Sequence, residues 1–172
     1  MTPLLPKLTT FKLSRFAPLF SDDISISIPC DLFIIAGGNG LGKTTIMQAI
    51  VYCIAGEVDL SIEQGKSQRW GISYFHGRLN DHTVASVETG FSIGKHKIVI
   101  RRGFKSKNIL DLNIDGTAYN DLRECDSIFE NFITQNCGYQ SFDDFCFIFH
   151  KLCYFRKQGL ILLGIWILKC EF

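Results

Sequence analysis

Residues 30–56 read CDLFIIAGGNGLGKTTIMQAIVYCIAG, and this stretch decides the fold of the chain. It opens with an apolar run, Leu32–Ala36, which is typical of a buried parallel strand. A glycine-rich loop follows, and the next residues have the apolar periodicity of a helix that ends at Gly56. The loop from Gly37 to Thr44 fits the phosphate-binding pattern G-x-x-x-x-G-K-T, and its strand-loop-helix setting is the one that this pattern requires.

The residue types of this loop suit a triphosphate. Backbone amides reach phosphate oxygens only where no side chain intervenes, and glycines clear that space and permit positive φ. The helix that begins near Lys43 adds the partial positive charge of its amino terminus. We predict that Lys43 reaches the β- and γ-phosphates as the catalytic cation and that Thr44 places its hydroxyl on Mg²⁺. The predicted nucleotide-binding residues are Gly37, Gly38, Asn39, Gly40, Leu41, Gly42, Lys43, Thr44 and Thr45.

The composition is that of a folded domain with a substantial core, because 47% of the 172 residues are hydrophobic. A net charge of +1 predicts no strong global attraction to nucleic acid or to acidic membranes. Seven cysteines without a Cys-x-x-Cys pair are interpreted as reduced core thiols of a cytoplasmic protein, and a zinc site is not expected. The amino terminus does not resemble a signal peptide, and the apolar run 159–168 is about half of a membrane span.

Alternation of apolar and polar residues predicts the β-structure. Residues 8–16 and 24–28 are predicted to form an antiparallel pair that leads into the buried strand. Residues 83–119 are predicted to form an antiparallel β-meander, with turns at Gly94–Lys95 and Asp115–Gly116. Because antiparallel strands follow the first helix, a P-loop kinase or a GTPase, in which parallel βα units continue, is disfavoured.

Two stretches leave alternatives open. Residues 57–82 are predicted to be a loop-rich insertion, in which Trp70 and Tyr74 are either packed, as we favour, or stacked on a base. The meander is the most basic part of the chain, and this predicts either a contact with DNA phosphates or, as we favour, a solvated hairpin. The basic residues concerned are Lys95, Lys97, Arg101, Arg102, Lys105 and Lys107.

Two helices are predicted within residues 121–155. The first spans 121–135 with Asp121 and Glu124 as a capping box, and the second begins near Ser141, a good amino-terminal cap. Apolar residues on several faces of the second helix predict either burial or docking on a partner. The apolar tail 159–172 fits either a buried strand or an aberrant reading frame, and the sequence does not decide between them.

The P-loop, the opening strands and the basic meander resemble the amino-terminal ATPase lobe of the SMC, SbcC and RecF group, which are ABC-type DNA-repair and chromosome ATPases. The resemblance rests on Asn39 before the middle glycine, on the GKTT continuation, on the apolar helix ending at Gly56 and on the run Val99–Arg102. It covers about residues 8–155. It implies an α/β P-loop NTPase fold, namely an ABC-ATPase-like first lobe over residues 1–158, with ATP and Mg²⁺ as ligands.

Complete members of that group also have a second half, with an ABC signature, a Walker B strand ending in Asp-Glu and a switch histidine. None of these occurs in this sequence. The lobe is therefore expected to be incomplete and to act with a missing carboxy-terminal half or partner subunit, in a dimer of heads, with DNA as a further partner. The group's Q-loop glutamine, a second metal contact, matches Gln140, Gln135 or Gln158, and Gln140 is preferred because it lies just before a helix.

The resemblance implies ATP binding and, in a complete head, ATP hydrolysis coupled to DNA repair, chromosome maintenance or defence. The alternative is a nucleotide-binding interaction subunit without catalysis or an inactive fragment, because the residues that polarise the attacking water are missing from this sequence.

Overall fold

The computed structural model describes residues 3–29, 42–59, 69–153, 156–157 and 160–161. The predicted strand Leu32–Ala36 and the loop residues Gly37, Gly38, Asn39, Gly40 and Leu41 lie outside the described residues, as does Gln158. In chain order, the elements are β1 (Lys7–Ser14), β2 (Ile24–Ser27), α1 (Lys43–Ala55), β3 (Val58–Asp59), β4 (Arg69–Trp70), α2 (Ser73–His76), β5 (Ser86–Ile93), β6 (His96–Gly103), β7 (Ile109–Ile114), β8 (Thr117–Tyr119), α3 (Cys125–Asn136), α4 (Phe142–Cys153), β9 (Arg156–Lys157) and β10 (Leu160–Ile161).

An antiparallel sheet of six strands, in the order β2-β1-β5-β6-β7-β8, forms the centre of the fold. The predicted strand pair and the predicted meander are both confirmed, and β1 joins them by pairing with β5. The two predicted turns are also present. Gly94, Asp115 and Gly116 all have positive φ, which the tight connections β5–β6 and β7–β8 require.

One face of the sheet carries the core and packs against α1. Strand alternation directs Val87, Thr89, Phe91 and Ile93 inward, and all four are buried. Helix α1 is buried from Thr45 to Ala55, so burial extends well beyond the single apolar stripe that its periodicity predicts. A helix that is buried on every side needs partners all round, and the sheet, α4 and the insertion supply them.

The opposite face of the sheet is polar, and four charged residues form a row across it. Lys12 is paired in register with Glu88, Glu88 with Arg101, and Arg101 with Asp111. Arg101 and Asp111 form a direct ion pair. We call this row of alternating sign the charge ladder. It lies across β1, β5, β6 and β7, on the side of the sheet away from α1.

Helix α3 packs against β7 and α4, and α4 packs against α1 and β3, with their buried residues facing the core. Ser141 caps α4 as predicted, because its Oγ accepts the N–H of Asp144 at 3.1 Å. The predicted start of α3 is wrong: the helix begins at Cys125. Residues 122–124 form a turn instead, in which the Asp121 carboxylate accepts the N–H of Arg123 at 2.9 Å.

The insertion contains more structure than the sequence predicts, namely the short ladder β3–β4 and the single helical turn α2. Tyr74 is packed, as favoured: the Arg78 guanidinium lies 3.9 Å from the centre of its ring, and its ring meets Phe75 edge-on at 5.0 Å. In the tail, β9 pairs with β10, and the rest of residues 159–172 lies outside the described part.

Five of the seven cysteines lie in the described part of the chain, and all five are buried free thiols, as predicted for core residues. Burial raises the pKa of Cys53 to about 11, and desolvation likewise raises the pKa of Cys146. Among the described residues, no helix is long and apolar enough to cross a bilayer. The same residues contain no cluster of three or more metal-binding His, Cys, Asp or Glu side chains.

Candidate functional site

The amino terminus of α1 presents the described part of the predicted phosphate site. Gly42 has φ of 79° and directly precedes the helix, so a left-handed residue separates the loop from the first helical turn. Lys43 is half-buried and Thr44 is exposed, whereas Thr45 is buried. The first turn of α1 contains no acidic residue, so no carboxylate within that turn offsets the partial positive charge of the helix end.

Gly42 is also required for steric reasons. A Cβ atom at this position would lie 2.6 Å from Cζ of Phe20, which is inside van der Waals contact. Two contacts with Phe16 hold Phe20 in place. The centres of the two rings lie 6.2 Å apart, and the backbone N–H of Phe20 donates a hydrogen bond to the Phe16 carbonyl. The turn after β1 therefore closes directly over the start of α1.

The carboxyl end of α1 is fixed by four hydrogen bonds. The N–H of Gly56, at φ of 66°, donates to the Tyr52 carbonyl, and the Tyr52 hydroxyl donates to the Gly103 carbonyl at 3.0 Å. Arg102 Nε donates to the Cys53 carbonyl at 3.1 Å. Cys146 Sγ donates to the Ala55 carbonyl at 3.2 Å. The last three of these bonds tie the carboxyl half of α1 to the sheet and to α4.

An aromatic cluster surrounds the middle of α1. The Tyr52 ring is stacked on Phe104 at 5.1 Å and lies 5.6 Å from Phe75, while Phe16 meets Phe104 edge-on at 5.2 Å. Burial in this cluster raises the pKa of the Tyr52 hydroxyl. Through Phe16 and Phe20 the cluster extends to Gly42, so the packing of the core reaches the predicted phosphate loop.

Gln48 is a polar residue of α1 that lies outside the predicted nucleotide-binding residues. It is 5% exposed, and within the described structure its Oε1 has no hydrogen-bond partner. A signal for it exists in the sequence, because Gln48 is an amide in the middle of an otherwise apolar stretch, Ile46–Ala55. Native structures leave few buried polar atoms unpaired, so each one calls for an explanation.

The predicted metal ligands Thr44 and Gln140 lie in different places. Gln140 is exposed and follows Tyr139, whose hydroxyl donates to the Leu4 carbonyl at 2.9 Å. Leu4 precedes β1, whereas Phe20, which touches Gly42, follows that strand. An eight-residue strand is about 25 Å long, so this geometry does not favour Gln140 as a neighbour of Thr44. Gln135 is exposed on α3, and the metal role of each glutamine stays a prediction.

The basic residues of the meander are largely engaged within the protein. Arg102 is 3% exposed, so its inclusion among phosphate-binding candidates is wrong; it bonds instead to the carbonyls of Cys53 and Lys107 and to Asp126. Lys107 Nζ lies 2.6 Å from Glu57 Oε2. Since Arg101 is also paired, only Lys95, Lys97 and Lys105 remain exposed outside these pairs, which favours the solvated hairpin.

A buried helix that packs against an antiparallel sheet and begins at Lys43, directly after Gly42, is consistent with a nucleotide-binding domain. The profile of a protein family described as an AAA domain matches residues 11–158, which is most of the chain. The chain belongs to this AAA domain family. No curated protein and no solved structure matches it. Membership in the family suggests nucleotide binding and ATPase activity.

The described residues at the start of α1 fit a nucleotide with Mg²⁺. Magnesium takes oxygen ligands, and in nucleotide sites it is held mainly by the phosphates with only one or two protein groups. Thr44 offers an exposed hydroxyl, and Lys43 beside it offers a cation for the phosphates. A magnesium site in which the phosphates supply most of the ligands needs no cluster of protein carboxylates.

Proposed function

We propose that this chain is an ATP-binding lobe of the SMC, SbcC and RecF type, which holds Mg-ATP at the loop Gly37–Thr45. The observation that carries the proposal is the position of Lys43 and Thr44 in the first turn of a buried helix, directly after a left-handed glycine. In this arrangement a helix terminus, a lysine and a hydroxyl lie within one helical turn. The AAA domain match supports the same conclusion.

Each residue has a separate role in the proposal. The amides of Gly38, Asn39 and Gly40 donate to phosphate oxygens, since glycine-rich backbone forms an anion-binding nest. Lys43 neutralises the terminal phosphates, and Thr44 contributes an oxygen ligand to Mg²⁺. The metal ion, when bound, neutralises phosphate charge and orients the terminal phosphates for displacement. Thr45 and Leu41 complete the loop, with Thr45 buried against the core.

The test is a titration of the 172-residue chain with a fluorescent ATP analogue in the presence of Mg²⁺. Lys43→Ala is expected to weaken binding by about 10- to 100-fold, the equivalent of one charge-assisted contact of about 1.5–3 kcal/mol. Lys95→Ala is the matched control, because Lys95 is exposed in the β5–β6 turn and lies outside the loop. Equal affinities for the wild type and Lys43→Ala would contradict the proposal.

Hydrolysis is proposed for a complete head, in which a second half supplies the signature and Walker B residues. Pairing of two heads and coupling to DNA repair, chromosome maintenance or defence belong to the same proposal. A gel-shift titration with duplex DNA, with and without ATP, tests the DNA component. Binding that is insensitive to Lys95, Lys97 and Lys105 would place any DNA contact outside the meander.

A nucleotide-binding subunit without catalysis is the second candidate. The observation that favours it is the absence, from these 172 residues, of an apolar strand followed by paired acids. Phosphoryl transfer depends on groups that position the attacking water, so this chain alone is expected to turn over ATP slowly or not at all. Steady-state phosphate release by the pure chain, abolished by Lys43→Ala, would exclude this candidate.

A further inference from the structure

The strongest unexplained feature of the described structure is the buried side chain of Gln48. Its Oε1 has no hydrogen-bond partner although the residue is 5% exposed. A buried acceptor without a donor destabilises the folded chain, and replacing it by an apolar group of similar shape is close to neutral or stabilising. A protein that retains such a group gains something else from it, and an unpaired acceptor is available to a donor that changes its state.

Helix geometry places Gln48 next to Thr44. The two residues are four apart in α1, so they lie on the same face with Cβ atoms about 5–6 Å apart. Side chains on a helix lean toward its amino terminus, so we expect the longer Gln48 side chain to extend in the direction of Thr44. Tyr52, one turn further on, is packed among aromatic rings, which offer no strong donor on that side.

The chemistry of a metal-bound hydroxyl supplies the missing donor. A threonine oxygen that gives a lone pair to a cation must direct its proton elsewhere, and an acceptor beside it fixes that direction. Groups that hold a ligand's proton in this way tune metal affinity even though they do not touch the metal. Without the cation, the hydroxyl of an exposed threonine turns freely to water, and the acceptor beneath it stays unpaired.

We infer that Gln48 is a positioning residue for the nucleotide site: its Oε1 accepts the Thr44 hydroxyl proton and so directs the Thr44 oxygen toward Mg²⁺. This inference rests on the proposed ATP-binding function and deepens it. On this inference, Gln48 contributes to nucleotide affinity only when Mg²⁺ is present. It also gives a role to a buried amide whose oxygen is unpaired in an otherwise apolar part of α1.

The inference predicts that Gln48→Leu does not destabilise the nucleotide-free chain but weakens its Mg²⁺-dependent binding of ATP. In Gln48→Leu, the unpaired acceptor is gone, so the melting temperature of the nucleotide-free chain should stay the same or rise by about 2–4 °C. The affinity for ATP measured in EDTA should not change. The additional affinity gained on adding Mg²⁺ should fall by about three- to tenfold, which is the worth of one hydrogen bond.

Two further measurements separate positioning from a purely structural effect. In the Thr44→Ala background, Gln48→Leu should cause no additional loss of Mg²⁺-dependent affinity, because the group that it positions is absent. Thr89→Val is the control: Thr89 Oγ1 is also a buried polar atom, but it lies in β5 beside the Cys53 thiol. This substitution should leave the Mg²⁺-dependent gain unchanged, whatever its effect on the melting temperature.

The possible results are distinct. An unchanged Mg²⁺-dependent gain in Gln48→Leu, or an equal loss in the Thr44→Ala background, would overturn the inference. Gln48→Met keeps the length of the side chain and so controls for a steric effect of leucine. If both variants melt well below the wild type, the amide stabilises the fold and the inference is wrong. If Lys43→Ala binds ATP as tightly as the wild type, the proposed function fails and this inference fails with it.

Discussion

Arg102 provides the sharpest test of how the fold holds α1 in place. Its guanidinium is almost fully buried and bonds to the Cys53 carbonyl, the Lys107 carbonyl and the Asp126 carboxylate. The Cys53 carbonyl belongs to the last turn of α1, where backbone acceptors lack partners within the helix and a cation is favourable. In Arg102→Met, an aliphatic side chain still fills the space of the arginine stem, but all three hydrogen bonds of the guanidinium are lost.

The expected loss can be estimated from burial. A buried acceptor left without a donor costs about 1–3 kcal/mol, which applies to the Cys53 carbonyl. The Lys107 carbonyl belongs to an exposed residue and can bond to water, so it adds little. Asp126 is 34% exposed, and solvent screening reduces the loss of its ion pair to about 1 kcal/mol. We expect a total of about 3 kcal/mol, or about 6–12 °C in melting temperature.

The assay is urea unfolding followed by far-UV circular dichroism, with Arg101→Met as the control. Arg101 is the adjacent residue on β6, but it points to the opposite face, where both it and Asp111 are 42% exposed. Loss of that ion pair should cost at most about 1 kcal/mol. A loss in Arg101→Met equal to or greater than that in Arg102→Met would refute the reasoning, because it would mean that burial does not decide the value of these contacts.

Two further predictions concern the loop end of α1 and the β7–β8 turn. Gly42→Ala should destabilise the chain by about 1–2 kcal/mol, because a Cβ is disfavoured at φ of 79° and meets the Phe20 ring. The control Gly77→Ala should not destabilise it, because Gly77 has φ of −83° and open space around it. Thermal melts compare the two variants, and equal melting temperatures would contradict the prediction. The His96 side chain, followed by the Lys97 backbone N–H, lowers the pKa of Asp115, so the ionised carboxylate stabilises the fold at neutral pH and this stabilisation is lost as the pH falls through the folded-state pKa. Asp115→Asn should therefore be less stable than the wild type at pH 7, and urea titrations should show this difference shrinking below about pH 4; a constant difference would argue against it.

The sequence predicts the sheet well because its signals are local. Ala85 to Ile93 alternates strictly, and Asp115–Gly116 has the residue types of a tight hairpin turn, so both features depend on neighbours a few residues away. Gly56 marks the end of α1 for the same kind of reason. The existence and direction of the meander strands follow from these short patterns alone.

The site could be predicted only in part, because its remaining features depend on distant partners. Arg102 continues the inward alternation of Ile98 and Ile100, but its burial is tolerated only because Cys53 and Asp126, far away in the chain, satisfy it. The same holds for Gln48, whose significance depends on where α1 is packed. The predicted start of α3 is wrong because the Asp121 side chain stabilises a turn before the helix begins.

The charge ladder has a consequence for how the strands find their alignment. Each of its pairs joins different strands at a single register, and sliding β1 by two residues would set Ser14 or Thr10 in place of Lys12 opposite Glu88. The ladder is partly exposed to solvent, so its ion pairs add little to the stability of the folded state. Its effect is on strand register instead, because the opposite charges face each other in only one alignment of the four strands and are mismatched in the others.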